Sequence, residues 1–266
     1  MRTALAALAI AFVTAASGGG PDGCAGCWKP KASSAPWQIQ LQGRLELDVR
    51  AQVYEIDGLD RRRATVRRLQ RRGRRVICYV NAGAWESFRA DAGSFPPEVL
   101  GKRYEGFPDE RWLDIRRIDL LEPLLGARLD ACRDKGFDAV DPDNVNGYQN
   151  DTGFPLTGAD QLRFNRWLAD EIHTRGMAAI LKNDGPQVPE LAGPFDGAVV
   201  EQCFQYRECG AYAPFLRAGE PVYAIEYGRP SARVCRAARR RRISVIFKRV
   251  SLFSHRRSCA GRSGRR

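Results

Sequence analysis

The chain has 266 residues, 44% of them hydrophobic and 28% charged. Those proportions exclude a disordered or fibrous polymer and suit one barrel-sized domain or two small ones. A net charge of +12 raises a polyanionic partner, yet no aromatic residues interleave with the arginines of Arg61–Arg75 and Arg239–Arg242. Those runs read as solvated helix faces, without a stacking platform for single-stranded nucleic acid.

The first residues, MRTALAALAIAFVTAAS, place a charge, an apolar run and small residues in the order of a secretory signal over 1–17. A flexible leader over 18–36 follows, then one domain over 37–259 and a basic tail over 260–266. No later segment holds the ~20 apolar residues of a membrane span. Eight cysteines fit an exported, oxidised protein. Cys203 and Cys209 are placed to staple the loop after one strand, Cys235 and Cys259 to tie down the C-terminus. The Cys24/Cys27 pair reads as structural or leader use, with a redox or zinc motif as the alternative.

Eight β-like runs are then predicted in chain order: Trp37–Gln42, Val53–Asp57, Arg75–Asn81, Asp138–Asn144, Ala178–Asp184, Ala198–Cys203, Val222–Tyr227 and Ile243–Lys248. Helical patterns lie between many of them, at Leu59–Gly73, Leu120–Gly136, Gly158–Gly176, Ala211–Gly219 and Ser231–Arg241, several ending at glycine. Strands alternating with helices predict a parallel sheet. Eight strands predict an α/β fold, a single (β/α)8 TIM barrel with parallel strands. An open doubly wound sheet is the alternative, but no GxGxxG or GxxxxGK[ST] follows the first strand to supply its usual nucleotide chemistry. The stretch Ala84–Arg116 breaks the rhythm and reads as an ordered loop over the barrel mouth.

Several runs end in polar residues, and the strand ends of such a barrel converge on one mouth. Alternation puts Ala139, Asp141 and Asp143 on one face, Ile180, Lys182 and Asp184 on a second, Val199, Glu201 and Cys203 on a third, and Ala224 with Glu226 on a fourth. Asp57, Tyr79, Asn81 and Asn144 fall near the same mouth. Crowded carboxylates push some pKa values up, which suits glycosidic bond cleavage by one protonated acid and one charged carboxylate. Salt bridges closing the barrel end are the plainer alternative. His173, mid-helix, and His255, in the arginine-rich end, both read as surface residues, so neither histidine-dependent nucleophiles nor zinc is supported. A magnesium or calcium site from Asp141, Asp143 and Asp184 is a weaker possibility. Trp37, Trp85, Trp112, Tyr79, Tyr148 and Tyr227 would suit stacking on sugars.

WQIQLQG, VICYVNAGAWESFR, ERWLDIR, KGFDAVDPDNVNGY, LKND, EQCFQYREC and IEY, in that order, resemble the glycoside hydrolase family 114 barrels, the endo-α-1,4-polygalactosaminidases and their relatives. The resemblance runs from about Trp37 to Tyr227, with a looser echo to Cys259. It implies an endo-acting glycosidase of α-1,4-linked galactosamine polysaccharide, and the signal over 1–17 makes it a secreted one. The resemblance implies Asp143 of the PDN motif and Glu201 of the ExCF motif as the catalytic pair; Asp143 is assigned as nucleophile and Glu201 as general acid/base, which their strand faces permit. Asp57, Tyr79, Asn81, Asp141, Asn144, Lys182, Asp184, Glu226 and Tyr227 are expected to bind substrate. The family usually carries Glu where this chain has Asp141. No cofactor, metal, nucleic-acid or membrane partner is expected, and a monomer is. A non-catalytic carbohydrate-binding barrel and a basic polyanion-binding surface protein remain the alternatives. One tension follows: a deacetylated galactosamine polymer is cationic, and a chain of net charge +12 repels it at long range.

Overall fold

The computed structural model describes Cys24, residues 26–33 and residues 36–259. The secretory signal and basic tail expected at the two ends lie outside the described residues. Eight strands form the wall: β1 (Trp37–Gln40), β2 (Val53–Asp57), β3 (Arg75–Asn81), β4 (Ala139–Asp143), β5 (Ala178–Ala179 and Leu181–Lys182), β6 (Ala198–Glu201), β7 (Val222–Tyr227) and β8 (Ser244–Lys248). Successive strands pair in parallel from β1 to β8. β5, expected as one run through Asp184, is split at Ile180: its first half pairs with β4 and its second with β6.

The returning C-terminus closes the seam between β8 and β1. Trp37 Nε1–H donates to the Ser244 carbonyl at 2.8 Å. Toward the mouth, Arg257–Ser258 pairs antiparallel with β8, and the Leu41 N–H donates to the Leu252 carbonyl at 3.1 Å. Lys248 Nζ donates to the carbonyls of Ile39 and Phe253 at 2.7 and 2.6 Å. The fold is thus a (β/α)8 barrel whose last joint is made by a tail segment and side chains.

Among the described residues, helices α1 (Arg63–Gln70), α2 (Ile118–Lys135), α3 (Gly158–Thr174), α4 (Val188–Leu191), α5 (Ala213–Ala218) and α6 (Ala232–Arg241) follow β2 to β7 in turn. In α1, Val66 and Leu69 are three apart, one helical turn, and are the residues buried against the wall, leaving the arginines outside. α3 begins at a capping box in which Thr157 and Asp160 satisfy each other's backbone N–H. The four-residue α4 has no periodicity to read and went unforeseen.

Two apolar layers result. Trp37, Ile39, Val53, Ile77, Ala139, Ile180, Val199, Ile225 and Ile246 fill the barrel interior, and a larger layer sits between the wall and the helices. Disulfides join Cys203 to Cys209 and Cys235 to Cys259 as expected, and Cys24 to Cys27. A further one, Cys78–Cys132, ties β3 to α2. The stretch expected as a loop over the mouth is a three-stranded antiparallel sheet of Ala84–Glu86, Leu100–Tyr104 and Phe107–Leu113. Gly83 opens it so close to Asn144 that a Cβ there would lie 1.8 Å from the Asn144 carbonyl oxygen.

Candidate active site

Three strands deliver the charged side chains at the centre of the mouth, and each stops in the same way. Asn144 follows Asp143, Asn183 and Asp184 follow Lys182, and Gln202 follows Glu201. All four have left-handed backbones, with φ of 62°, 52°, 53° and 56°. Four of the seven such non-glycine residues described therefore sit at three strand ends. A residue held there costs about 1–3 kcal/mol, so strain is concentrated where the chain must turn away and leave the last strand side chain in the mouth.

Lys182 Nζ lies 3.0 Å from Asp143 Oδ1 and 3.6 Å from Glu201 Oε2, so the nearest oxygens of the two carboxyl groups are no more than about 6.6 Å apart. Tyr79 Oη–H donates to Asp143 Oδ2 at 2.7 Å, and the Asn144 N–H to Asp143 Oδ1 at 2.8 Å. Burial alone would raise the Asp143 pKa, but Lys182, the Tyr79 hydroxyl and that N–H outweigh it and hold the carboxyl below its ordinary value. Asp143 is therefore ionised at neutral pH. Glu201 accepts from the Tyr227 hydroxyl and from Asn183 Nδ2, and its side chain is 28% exposed against 17% for Asp143. Burial disfavours the Lys182 ammonium, yet the surrounding Asp143, Glu201, Asp141 and Glu55 raise its pKa well above the ordinary value.

Asp141 lies one layer deeper than expected. It is fully buried beside the fully buried Glu55, outside the cleft lining, and so is not placed to touch substrate. No donor reaches the oxygens of either carboxyl. Burial raises both, Asp141 well above its ordinary value with Glu55 adding to the rise, and Glu55 to about 7. A proton held between them supplies the missing donor, because a protonated carboxyl can donate.

The rim comes from the antiparallel sheet, in the stretch expected over the mouth but as a loop. Arg89 is buried and forks onto Asp57, at 3.1 and 2.7 Å, and onto Glu86, at 2.8 and 2.9 Å. Asn81 lies behind the lining: its Nδ2 donates to Glu110 at 3.2 Å, and its Oδ1 accepts from Asn144 Nδ2 at 3.0 Å. Burial, with Glu86 and Asp143 nearby, raises Glu110 to about 7. The resulting cleft, of about 750 Å³, is lined by seven carboxylates (Asp57, Asp60, Glu86, Asp109, Glu110, Asp143 and Glu201) against two cations, Arg89 and Lys182. An acidic mouth thus sits in a basic protein, which locally reverses the charge mismatch raised by the sequence.

Tyr79, Asn144, Lys182 and Tyr227 also line this cleft. Asp184 does not: past the end of β5 it turns to accept from Asn165 Nδ2 at 3.1 Å and from the Tyr148 hydroxyl at 3.3 Å. Glu226 does not either, because the parity assigned to β7 was wrong. Tyr223 and Ile225 point into the barrel, Ala224 packs in the outer layer, and Glu226 accepts the Phe204 N–H at 2.9 Å. Cys203 lies beyond β6 in the outer layer. His173 is half-buried, 2.8 Å from Asp196 Oδ2, rather than on the surface. Trp37 is fully buried in the barrel, unavailable to a sugar. Among the described residues, no three His, Cys, Asp or Glu side chains are grouped to hold a metal ion.

The chain resembles solved structures over most of its length. It is 37% identical to Aspergillus fumigatus Ega3, solved in complex with galactosamine, over 87% of this chain and 97% of that one, with a TM-score of 0.82. The glycoside hydrolase domain of PelA from Pseudomonas aeruginosa shares the fold at 15% identity and a TM-score of 0.67, over 84% of this chain and 98% of that one. No curated relative matches the chain. The profile of glycoside-hydrolase family GH114 matches residues 21–264. The chain belongs to that family and is a glycosidase.

Proposed function

We propose that the protein is a secreted, endo-acting hydrolase of α-1,4-linked galactosamine polysaccharide that retains anomeric configuration. The observation that carries this reading is the pairing of Asp143 and Glu201 across one lysine in an open acidic cleft. Asp143, kept ionised, attacks the anomeric carbon as Glu201 protonates the departing glycosidic oxygen. The ester on Asp143 is then hydrolysed by a water whose proton returns to Glu201. An upper bound of about 6.6 Å between their nearest oxygens accommodates the ~5–5.5 Å of a retaining pair.

Lys182 and Tyr79 orient the nucleophile, and the Tyr227 hydroxyl orients the acid. The excess of carboxylates in the cleft suits the ammonium groups of a deacetylated galactosamine chain. Ega3, the 37% identical relative, is recorded with galactosamine, which supports the same sugar here. On this reading 37–259 is the hydrolase domain and 1–17 its export signal, consistent with four disulfides. Proton NMR of the first products formed from a de-N-acetylated α-1,4-galactosamine oligomer tests it. The α-anomer should appear first; β-anomer appearing first would refute the retaining assignment.

A further inference from the structure

Five large hydrophobic side chains are exposed among the described residues: Phe88, Phe107, Tyr206, Val250 and Phe253, at 49–65%. Four of them, all but Tyr206, line the acidic cleft. Scattered exposed apolar residues need no explanation, but a concentration at one cleft marks a binding surface.

The three phenylalanines share a second property: each is braced from behind. Phe107 sits edge-on to Tyr104, with ring centroids 5.4 Å apart, and Tyr104 stacks on the buried Trp112 at 4.6 Å. Phe88 lies under the Arg89 guanidinium, 5.1 Å from its ring centroid, and Arg89 is itself fixed by Asp57 and Glu86. Phe253 rests against Gly43, where a Cβ would come within 2.7 Å of its ring. Its carbonyl accepts from Lys248 Nζ at 2.6 Å, and its segment is tied down by Cys235–Cys259. An exposed ring without support samples many rotamers and must lose that freedom on binding; these rings have largely lost it beforehand.

We infer that Phe88, Phe107 and Phe253 are platforms for the apolar C–H faces of successive pyranose rings. They would grip an extended polysaccharide by stacking, while the acidic floor takes its polar and cationic groups. Phe253 makes the C-terminal closing segment a wall of the binding cleft as well as the joint of the barrel. This inference rests on the glycosidase reading for its ligand class. It adds residues that no strand-end argument points to, since Phe107 lies on the antiparallel sheet, Phe88 in the turn after its first strand and Phe253 on the C-terminal closing segment.

The test is isothermal titration calorimetry of Glu201→Gln protein with de-N-acetylated α-1,4-galactosamine oligomers of increasing length. Hydrolysis of the same oligomers by the parent chain is measured in parallel. Phe107→Ala and Phe253→Ala should each weaken Kd for the longer oligomers about 3- to 10-fold. Phe107→Tyr and Phe253→Tyr, which keep the ring, should bind like the parent. Unchanged Kd in both alanine variants would overturn the platforms whether or not the parent cuts. Platform-dependent binding with no cutting by the parent would instead refute the glycosidic reaction and leave the platforms standing. No binding by the parent would overturn the platforms together with the ligand class.

Discussion

Lys182→Met is the most informative single perturbation, because Lys182 stands between the two proposed reacting carboxylates and above the Glu55–Asp141 pair. The ammonium lies 3.0 Å from Asp143 Oδ1 and is 5% exposed as a side chain, so solvent screens little of the attraction. An opposite charge at such range lowers a carboxyl pKa by about 1–3 units. Removing it leaves burial, which raises the Asp143 pKa, opposed only by the Tyr79 hydroxyl and the Asn144 N–H. The acid limb of the kcat/KM profile, which reports the free enzyme, should therefore move up by about 1–3 pH units. Stability should change sign in its pH response as well. In the parent the folded pKa of Asp143 is depressed, so its contribution is present above the unfolded value of ~3.9 and is lost as pH falls through the folded one. In the variant the folded pKa is raised, so this residue's contribution falls as pH rises through that window. The assay is a pH series of initial rates paired with urea melts. A variant with a lower kcat but an unmoved acid limb would refute the electrostatic argument.

Glu110, raised to about 7 at the cleft edge, should bind an amino sugar best when ionised. KM for the deacetylated oligomer should therefore rise as pH falls through about 7, and Glu110→Gln should flatten that rise. Arg89→Met strands the buried Asp57 and Glu86 carboxylates and should cost about 3–5 kcal/mol, a Tm lower by roughly 6–20 °C in a domain of this size. Glu226→Gln keeps an acceptor for the Phe204 N–H and lies outside the cleft, so kcat/KM should stay within about twofold; a loss of a hundredfold would restore it to the mouth.

The barrel was legible in the sequence because period-2 apolar runs alternate with helical patterns, and the fourth and sixth strands could be given faces. On β4, Asp141 and Asp143 cannot both face the helices without burying charge in an apolar layer, which fixes the parity. On β7 the same reasoning failed. VYAIEY offers apolar side chains at either parity, so Tyr223 and Ile225 fill the barrel and Glu226 turns outward to a backbone N–H. Asp184 failed for another reason: alternation holds only within a strand, and Asn183 and Asp184 are both left-handed. The depth of Asp141 was equally hidden, since a run of residues carries faces but not the height of the rim. Ala84–Arg116 was legible as a segment over the mouth, but not which of its side chains, among them Phe88, Arg89 and Glu110, reach the cleft, because its antiparallel pairing is not a local pattern. The closing of the seam by Leu252–Ser258 depends on long-range hydrogen bonds, from the Leu41 N–H to the Leu252 carbonyl and from Gln38 Nε2 to the Ser254 carbonyl, that no local pattern announces.

On the proposed mechanism Asp143 and Glu201 together break one glycosidic bond in a galactosamine polymer. Mass spectrometry of oligomers incubated with the parent, Asp143→Asn and Glu201→Gln chains tests it most directly. The parent should cleave internally to shorter oligomers, and neither folded variant should cleave. Undiminished cleavage by both variants, or an intact polymer after incubation with the parent, would contradict it.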